Sequence, residues 1–271
     1  MTRSVVILTG DELRHRYFRR RIAGDGRFDV VASICESDAK SLKSRVAGDE
    51  GASWLQHQHV LAREQSERDF FEEFVEQTED RSRATVIDKG RINDPEIVSQ
   101  IEAAAPDLLV CYGSSLVKSR LVTGFRGRFL NVHLGLSPYY RGSGTNVFPI
   151  INGELGMVGA TYMHIDEGID TGEIIHQIRA DVCVGDSPHS IGNRLIRKMT
   201  GVYADIIAAF DRLERPAQPA APGKLYLQKD WTNEACEALY AQLAGGAVER
   251  YLTGKDPSAD LPLVINGGLA A

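Results

Sequence analysis

Five short apolar runs, each closed by a glycine or a polar step, constrain this chain more than any other feature of its sequence. They are SVVILTG (4–10), FDVVASICE (28–36), RATVID (83–88), PDLLVCYG (106–113) and GRFLNVH (127–133). Runs this short, rich in β-branched residues, read as buried strands. Between them DELRHRYFRRRI (11–22) predicts a helix, with Asp11 as its cap and Leu13, Tyr17, Phe18 and Ile22 on one face. Residues 53–78 predict a long helix with a charged outer face, and DPEIVSQIEAA (94–104) another. Strand and helix in alternation build βαβ units, so the expected fold is α/β, a mostly parallel sheet flanked by helices. In such a sheet, ligands gather beyond the carboxyl ends of the strands. Gly113-Ser114-Ser115 and Asn131-x-His133 both fall there.

The second half follows a different pattern. GATYMHI (159–165) and GEIIHQIRADV (172–182) read as a strand pair joined by DEGIDT (166–171). SIGNRLIRKMTGVYADIIAAFDRL (190–213) predicts a long amphipathic helix. RPAQPAAPGK (215–224) has the composition of a Pro/Ala linker. The expected organisation is therefore a catalytic domain over 1–213, a linker over 214–224 and a small C-terminal extension over 225–271. That extension holds one strand, one helix and an apolar tail.

A length of 271 residues allows one large domain or one domain with a small appendage. The net charge of −6 argues against a broad nucleic-acid surface, which is usually basic. Cys35, Cys111, Cys183 and Cys236 are scattered with no C-x-x-C, so reduced thiols and a cytoplasmic location are expected. The first apolar run is too short for a secretory signal, and no run is long enough to span a bilayer.

Residues two apart on a strand project to the same side, so Asn131 and His133 point together from the sheet's carboxyl edge. A histidine exchanges protons near neutral pH. An asparagine amide can hold a developing oxyanion. A third group should orient the histidine; Asp170 is the first candidate and Asp166 the second. No G-x-S-x-G nucleophile accompanies them. An Asn-His-Asp trio without its own nucleophile suits direct acyl transfer, in which the substrate supplies the attacking atom. The competing bland interpretation is a structural histidine beside an ordinary turn.

LNVHLGLSPYYRGSGTNVFPIINGE followed by VGATYMHIDEGIDTGEIIHQ resembles the signature of the folate-dependent formyltransferase superfamily. Asn-x-His, Ser-Pro-x-x-x-Gly and Asp-Glu-Gly-x-Asp-x-Gly match in order. The likeness is sharp over 105–182 and extends more weakly over 1–213. It implies a Rossmann-like fold and an enzyme that uses 10-formyltetrahydrofolate without a metal. By resemblance, Asn131 polarises the formyl carbonyl, His133 is the catalytic histidine and Asp170 its partner. The folate pterin would lie between Gly113, Ser114, Ser115, Leu116 and Val117 on one side and Ile165, Asp166, Glu167 and Gly168 on the other. Ser137-Pro138 sits where the family has a tight proline turn, with a cis peptide left open.

The acceptor is less constrained. The superfamily's purine-pathway members carry a Gly-Ser-rich phosphate loop after the first strand, whereas this chain reads LTGDELRHRYFRRR. Its tRNA-directed members carry a long C-terminal barrel, whereas only 225–271 follow the linker. These departures favour a small amine acceptor, a nucleotide-linked amino sugar or specialised metabolite, over nucleic acid. A tRNA-directed enzyme and a non-catalytic folate-binding relic are the alternatives, and a homodimer is left open. Arg14 and Arg16 of the basic first helix are candidate phosphate contacts, against the alternative of a solvated face. Arg141, Thr145 and Asn146 are further candidate acceptor contacts. His57 and His59, two apart on a helix, diverge too far to share a metal.

Overall fold

A computed structural model describes residues 2–39, 41–214 and 223–269. Most of the segment predicted as a linker, 215–222, lies outside the described residues. The five predicted strands of the first half are all present: β1 (Arg3–Gly10), β2 (Phe28–Glu36), β3 (Ala84–Ile87), β4 (Leu108–Tyr112) and β5 (Phe129–His133). Between them run α1 (Leu13–Ala23), the short α2 (Leu42–Ala47), the long α3 (Trp54–Gln77), α4 (Pro95–Ala103) and α5 (Ser119–Gly124). A three-residue strand β6 (Tyr140–Gly142) and a single helical turn α6 (Phe148–Ile151) follow. The hairpin β7 (Gly159–His164) and β8 (Ile174–Arg179) precedes α7 (Pro188–Ala208). Then come β9 (Lys224–Tyr226), α8 (Asn233–Ala244) and α9 (Ala247–Leu252).

The main sheet has seven strands in the order β3-β2-β1-β4-β5-β7-β8. Its first five are parallel, and β7 and β8 are each antiparallel to the strand before them in that order. Both faces are covered, which explains why β1 is apolar without alternation. Val5, Ile7, Val110 and Leu130 pack with Phe18 of α1, Phe71 of α3 and Leu195 and Tyr203 of α7. Val6, Leu8, Leu109 and Phe129 pack on the other side with Ile97 and Ile101 of α4 and Leu121 of α5. Each fully buried side chain of this kind contributes about 1.5–3 kcal/mol.

The helix starts follow capping chemistry, with one exception. Ser53 accepts from the Gln56 N–H at the head of α3, and Ser187 with Ser190 forms a capping box ahead of Pro188 in α7. Asp11 does not cap α1 as its sequence position predicts. Glu12 holds the cap position without a side-chain bond, and the Asp11 carboxylate binds Arg16 at 2.7 Å and Arg19 at 2.9 Å. Two guanidiniums bonding one carboxylate outcompete its single cap bond to a backbone N–H. All four cysteines are free thiols. No described helix is long and apolar enough to cross a membrane.

The chain leaves β1 toward β2 and β3, then returns to the other side of β1 as β4. That reversal opens a crevice between the carboxyl ends of β1 and β4. His15 of α1 fills it. A Cβ on Gly10 would sit 2.6 Å from its Nδ1, and one on Gly113 2.4 Å from its Nε2. Only glycine fits at either strand end.

Candidate active site

A cavity of about 560 Å³ opens beyond the ends of β1, β4 and β5, a size typical of small-molecule sites. Asn131 and His133 enter it from β5. They share their side of the strand with Phe129, which is fully buried in the lower core, so they emerge just beyond that core's edge. Asp170 enters from the β7–β8 connection, in the left-handed region at φ 51°. Its Oδ2 lies 3.2 Å from His133 Nδ1 and accepts from the Gly142 N–H at 2.9 Å. On the ring's far side, His133 Nε2 lies 3.0 Å from the Tyr140 carbonyl and 3.2 Å from Thr145 Oγ1. The Thr145 hydroxyl donates to the Leu134 carbonyl, so it presents a lone pair to the ring. Acceptors thus face both ring nitrogens and fix the ring plane. The Asn131 side chain has no hydrogen-bond partner among the described residues, so its amide is free for a ligand.

The two loops named on the folate side both line the cavity: Gly113, Ser114, Ser115, Leu116 and Val117, opposite Ile165, Asp166 and Gly168. Glu167 does not line it. The first loop hangs on Glu36, a fully buried carboxylate that accepts from the N–H of Ser115 at 2.5 Å and of Gly90 at 2.7 Å and from Lys89 at 3.1 Å. Burial pushes this carboxyl up, but the Ser115 N–H, the Lys89 charge and the Gly90 N–H outweigh it and hold it below the usual range. Asp166 turns the second loop by accepting from the Gly168 N–H and the Thr171 hydroxyl. Ser137-Pro138 is cis.

Of the residues expected to contact an acceptor, Arg14, Thr145 and Asn146 line the cavity, whereas Arg16 and Arg141 do not. Arg16 is paired with Asp11 on an exposed face. Arg14 is locked between Glu12 and Glu67, and Arg63 leans on Glu67 at 3.3 Å. Next to this balanced cluster stands Arg45, whose side chain has as its only hydrogen bond among the described residues a 3.4 Å contact to the Gln228 carbonyl. Burial and the Arg63 cation push Arg45 below its ordinary value, with no carboxylate to offset them. His59, His189 and Trp231 form a wall of rings, His59 lying 4.5 Å from His189 and 4.7 Å from Trp231 between centroids. Burial holds His59 down at about 3 and His189 at about 4, so both are neutral at physiological pH. The buried His189 Nε2 and Trp231 Nε1 have no hydrogen-bond partner among the described residues. Arg45, Arg63, His189 and Trp231 carry no mark in the sequence, and His59 was considered there only as a metal ligand, because helices α2, α3 and α7 and the segment after β9 meet only in the fold. Glu36 carried a faint signal, as the acidic residue ending a buried strand.

Residues 3–207 match the protein family described as Formyl transferase. Among curated relatives, the methionyl-tRNA formyltransferase of Alkaliphilus oremlandii is 32% identical over 130 residues, 47% of this chain and 41% of that enzyme. The one from a Synechococcus species is 31% identical over 166 residues, 57% of this chain and 51% of that enzyme. The chain thus spans about half or less of the length of these relatives. Among solved structures, a sugar N-formyltransferase from a Shewanella species has the same fold at a TM-score of 0.57 and 19% identity, over 89% of this chain and 88% of that one. With the family match running over three quarters of the sequence and through all three motifs of the cavity, this chain belongs to the formyl transferase family.

Proposed function

We propose that this protein transfers a formyl group from 10-formyltetrahydrofolate to the amine of a small acceptor, a nucleotide-linked amino sugar or comparable specialised metabolite. The observation that carries the reading is the convergence on one cavity wall of the Asp170-held His133 and the unengaged Asn131 amide, 3.2 Å separating His133 from Asp170.

The donor supplies a formyl group on a weakly basic nitrogen. Its flat pterin fits the end of the cavity bounded by Gly113–Val117 and by Ile165, Asp166 and Gly168, where backbone amides alternate with the half-exposed Leu116 and Ile169. In the transfer, the acceptor nitrogen bonds to the formyl carbon, the bond to the donor nitrogen breaks, and a proton passes from the amine to that nitrogen. The Asn131 amide and the His133 ring hold negative charge on the formyl oxygen. His133, oriented by Asp170, carries the proton.

The acceptor would lie toward Thr145 and Asn146, between the ring wall and Arg45. A guanidinium with no carboxylate of its own suits a phosphate, and a wall of neutral, mutually tilted rings suits a flat base. Arg14, already held by two carboxylates, would shape this end rather than serve as the main anion contact. No contact is assigned to Arg16, Arg141 or Glu167. Transfer to an aminoacyl-tRNA is the second reading, favoured by the names of the curated relatives.

The test is to incubate the protein with formyl-labelled donor, a panel of nucleotide amino sugars, and charged and uncharged methionine tRNA. Label on a nucleotide sugar is the expected result. Label on charged tRNA alone would move the assignment to the second reading, and no transfer to any amine would overturn formyl transfer itself.

A further inference from the structure

We propose that the C-terminal segment Lys224–Tyr226 is a positioning strand for the His133–Asp170 pair, acting through β6. The inference rests on the proposed role of that pair. Strand β6 has two hydrogen-bonding edges, and each reads a different part of the molecule. Along one edge it pairs in parallel with β9, in the register Tyr140↔Lys224 and Gly142↔Tyr226. The Tyr139 carbonyl accepts from the Lys224 N–H at 2.9 Å, and the Ser143 N–H donates to the Tyr226 carbonyl at 2.8 Å. Backbone groups alternate in direction along a strand, so those of residues 140 and 142 face the opposite edge. There the Tyr140 carbonyl meets His133 Nε2 at 3.0 Å, and the Gly142 N–H meets Asp170 Oδ2 at 2.9 Å. The same three residues therefore hold the histidine from one side, hold its carboxylate from the other, and are themselves held by β9.

A three-residue strand has little stability of its own, so what anchors β9 sets the position of β6. The anchor is Tyr226. Its ring, 4% exposed, stacks on Phe148 at 4.0 Å and 17°, and lies parallel to Tyr140 at 5.7 Å. Asn152 donates to the hydroxyls of both Tyr226, at 2.8 Å, and Tyr140, at 2.9 Å. The approach is close enough to require glycine on both sides. A Cβ on Gly142 would lie 2.1 Å from the Tyr226 carbonyl oxygen, and one on Gly223 1.6 Å from that of Pro138. Tyr226 does not line the cavity; it reaches the site through β6 and through Phe148, which does line it, so the backbone change at Lys224 is the variant that isolates β6.

The test reads His133 directly. The full chain is labelled with ¹⁵N-histidine, the His133 ring signals are assigned with His133→Gln, and ring N–H exchange with water is measured in Tyr226→Ala, Tyr226→Phe and Lys224→Pro. His15, wedged between β1 and β4, reports an intact fold. His133 N–H exchange is expected to accelerate at least about tenfold in Tyr226→Ala and Lys224→Pro, with His15 unchanged, while Tyr226→Phe keeps the ring stack and the slow exchange. If Tyr226→Ala also perturbs His15, Lys224→Pro, which removes one ladder donor and the Lys224 ammonium 4.8 Å from the Tyr226 ring centroid, decides alone, with Lys224→Ala as the control that removes the ammonium only. An unchanged His133 signal in Lys224→Pro overturns the proposal. With an active acceptor, Tyr226→Ala should lower kcat by about 10²-fold, as a misplacement near 1 Å does, with donor KM nearly constant. Because the exchange readout needs neither donor nor acceptor, its failure and a failure of the proposed reaction are distinguishable.

Discussion

At the scale of the residue, each group in the cavity has a separable task. Replacing His133 or Asp170 by Asn is expected to cost about 10²–10⁴-fold in kcat/KM while leaving the melting temperature within a few degrees. Asp170→Asn is the cleaner change, because asparagine tolerates the left-handed backbone at φ 51° that residue 170 adopts. Near-wild-type turnover in either variant, on an accepted substrate, would sink the assignment. Arg45→Ala tests the acceptor end. A group that binds phosphate equally in ground and transition states raises KM more than it lowers kcat. The change should therefore weaken a phosphorylated acceptor about tenfold in KM, with kcat within about twofold, and leave folate-induced stabilisation in a thermal melt unchanged. The clustering of Asn131, His133 and Asp170 was legible because two of them sit two apart on a strand and the third in a glycine-rich connection. Arg45, His59, His189 and Trp231 were not, since nothing local marks a side chain whose neighbours come from distant segments.

At the scale of the element, every strand of the main sheet was legible, β2 over its full length of Phe28–Glu36 and the others with looser ends, as in β8, predicted over 172–182 and observed over Ile174–Arg179. Their apolar runs are long enough to show a pattern and, apart from the exposed edge strand β3, are largely buried on both faces. The short elements were not legible. Strand β6 reads Tyr-Arg-Gly, too short and too polar for a period to show, and it exists because β9 and the His133–Asp170 pair occupy its two edges. Helices α2 and α6, of six and four residues, fall below the length at which a 3.6-residue repeat is visible. The demand on Gly142 gives this element a measurable signature. Residue 142 has φ +89° and no room for a Cβ, whereas Gly254 has φ +70° with nothing within 4 Å. Gly254→Ala is expected to cost about 1 kcal/mol in urea unfolding, from backbone conformation alone. Gly142→Ala should cost at least about 1–3 kcal/mol more, because the new methyl must displace the Tyr226 carbonyl. Equal losses at the two sites would mean that the β6–β9 approach is looser than 2.1 Å implies.

At the scale of the whole molecule, buried neutral histidines couple the fold to pH. Burial, together with the nearby charges of His189 and Arg63, lowers His59 from 6.5 to about 3. Burial and Arg63 lower His189 to about 4, and burial foremost drives His15 well below its ordinary value. In the unfolded chain each would protonate near 6.5, so below that pH the unfolded state binds protons that the folded state refuses. The stability these residues contribute is therefore complete above about pH 6.5 and is lost as pH falls toward their folded values. The slope approaches about 1.4 kcal/mol per pH unit for each histidine within that window. Glu36, held below the usual carboxylate range, adds a loss of the same sign only below about 4.5. Urea midpoints at intervals between pH 8 and 5 should be level down to about 7 and then fall steeply. His59 and His189 lie in one ring wall, so the double change His59→Gln, His189→Gln should lower stability at pH 8 through lost packing. The decisive quantity is the slope between pH 6.5 and 5, which the double variant should flatten measurably relative to the wild type. An unchanged slope would show that these two histidines already titrate in the folded chain, and that the ring wall of the cavity is charged at acidic pH.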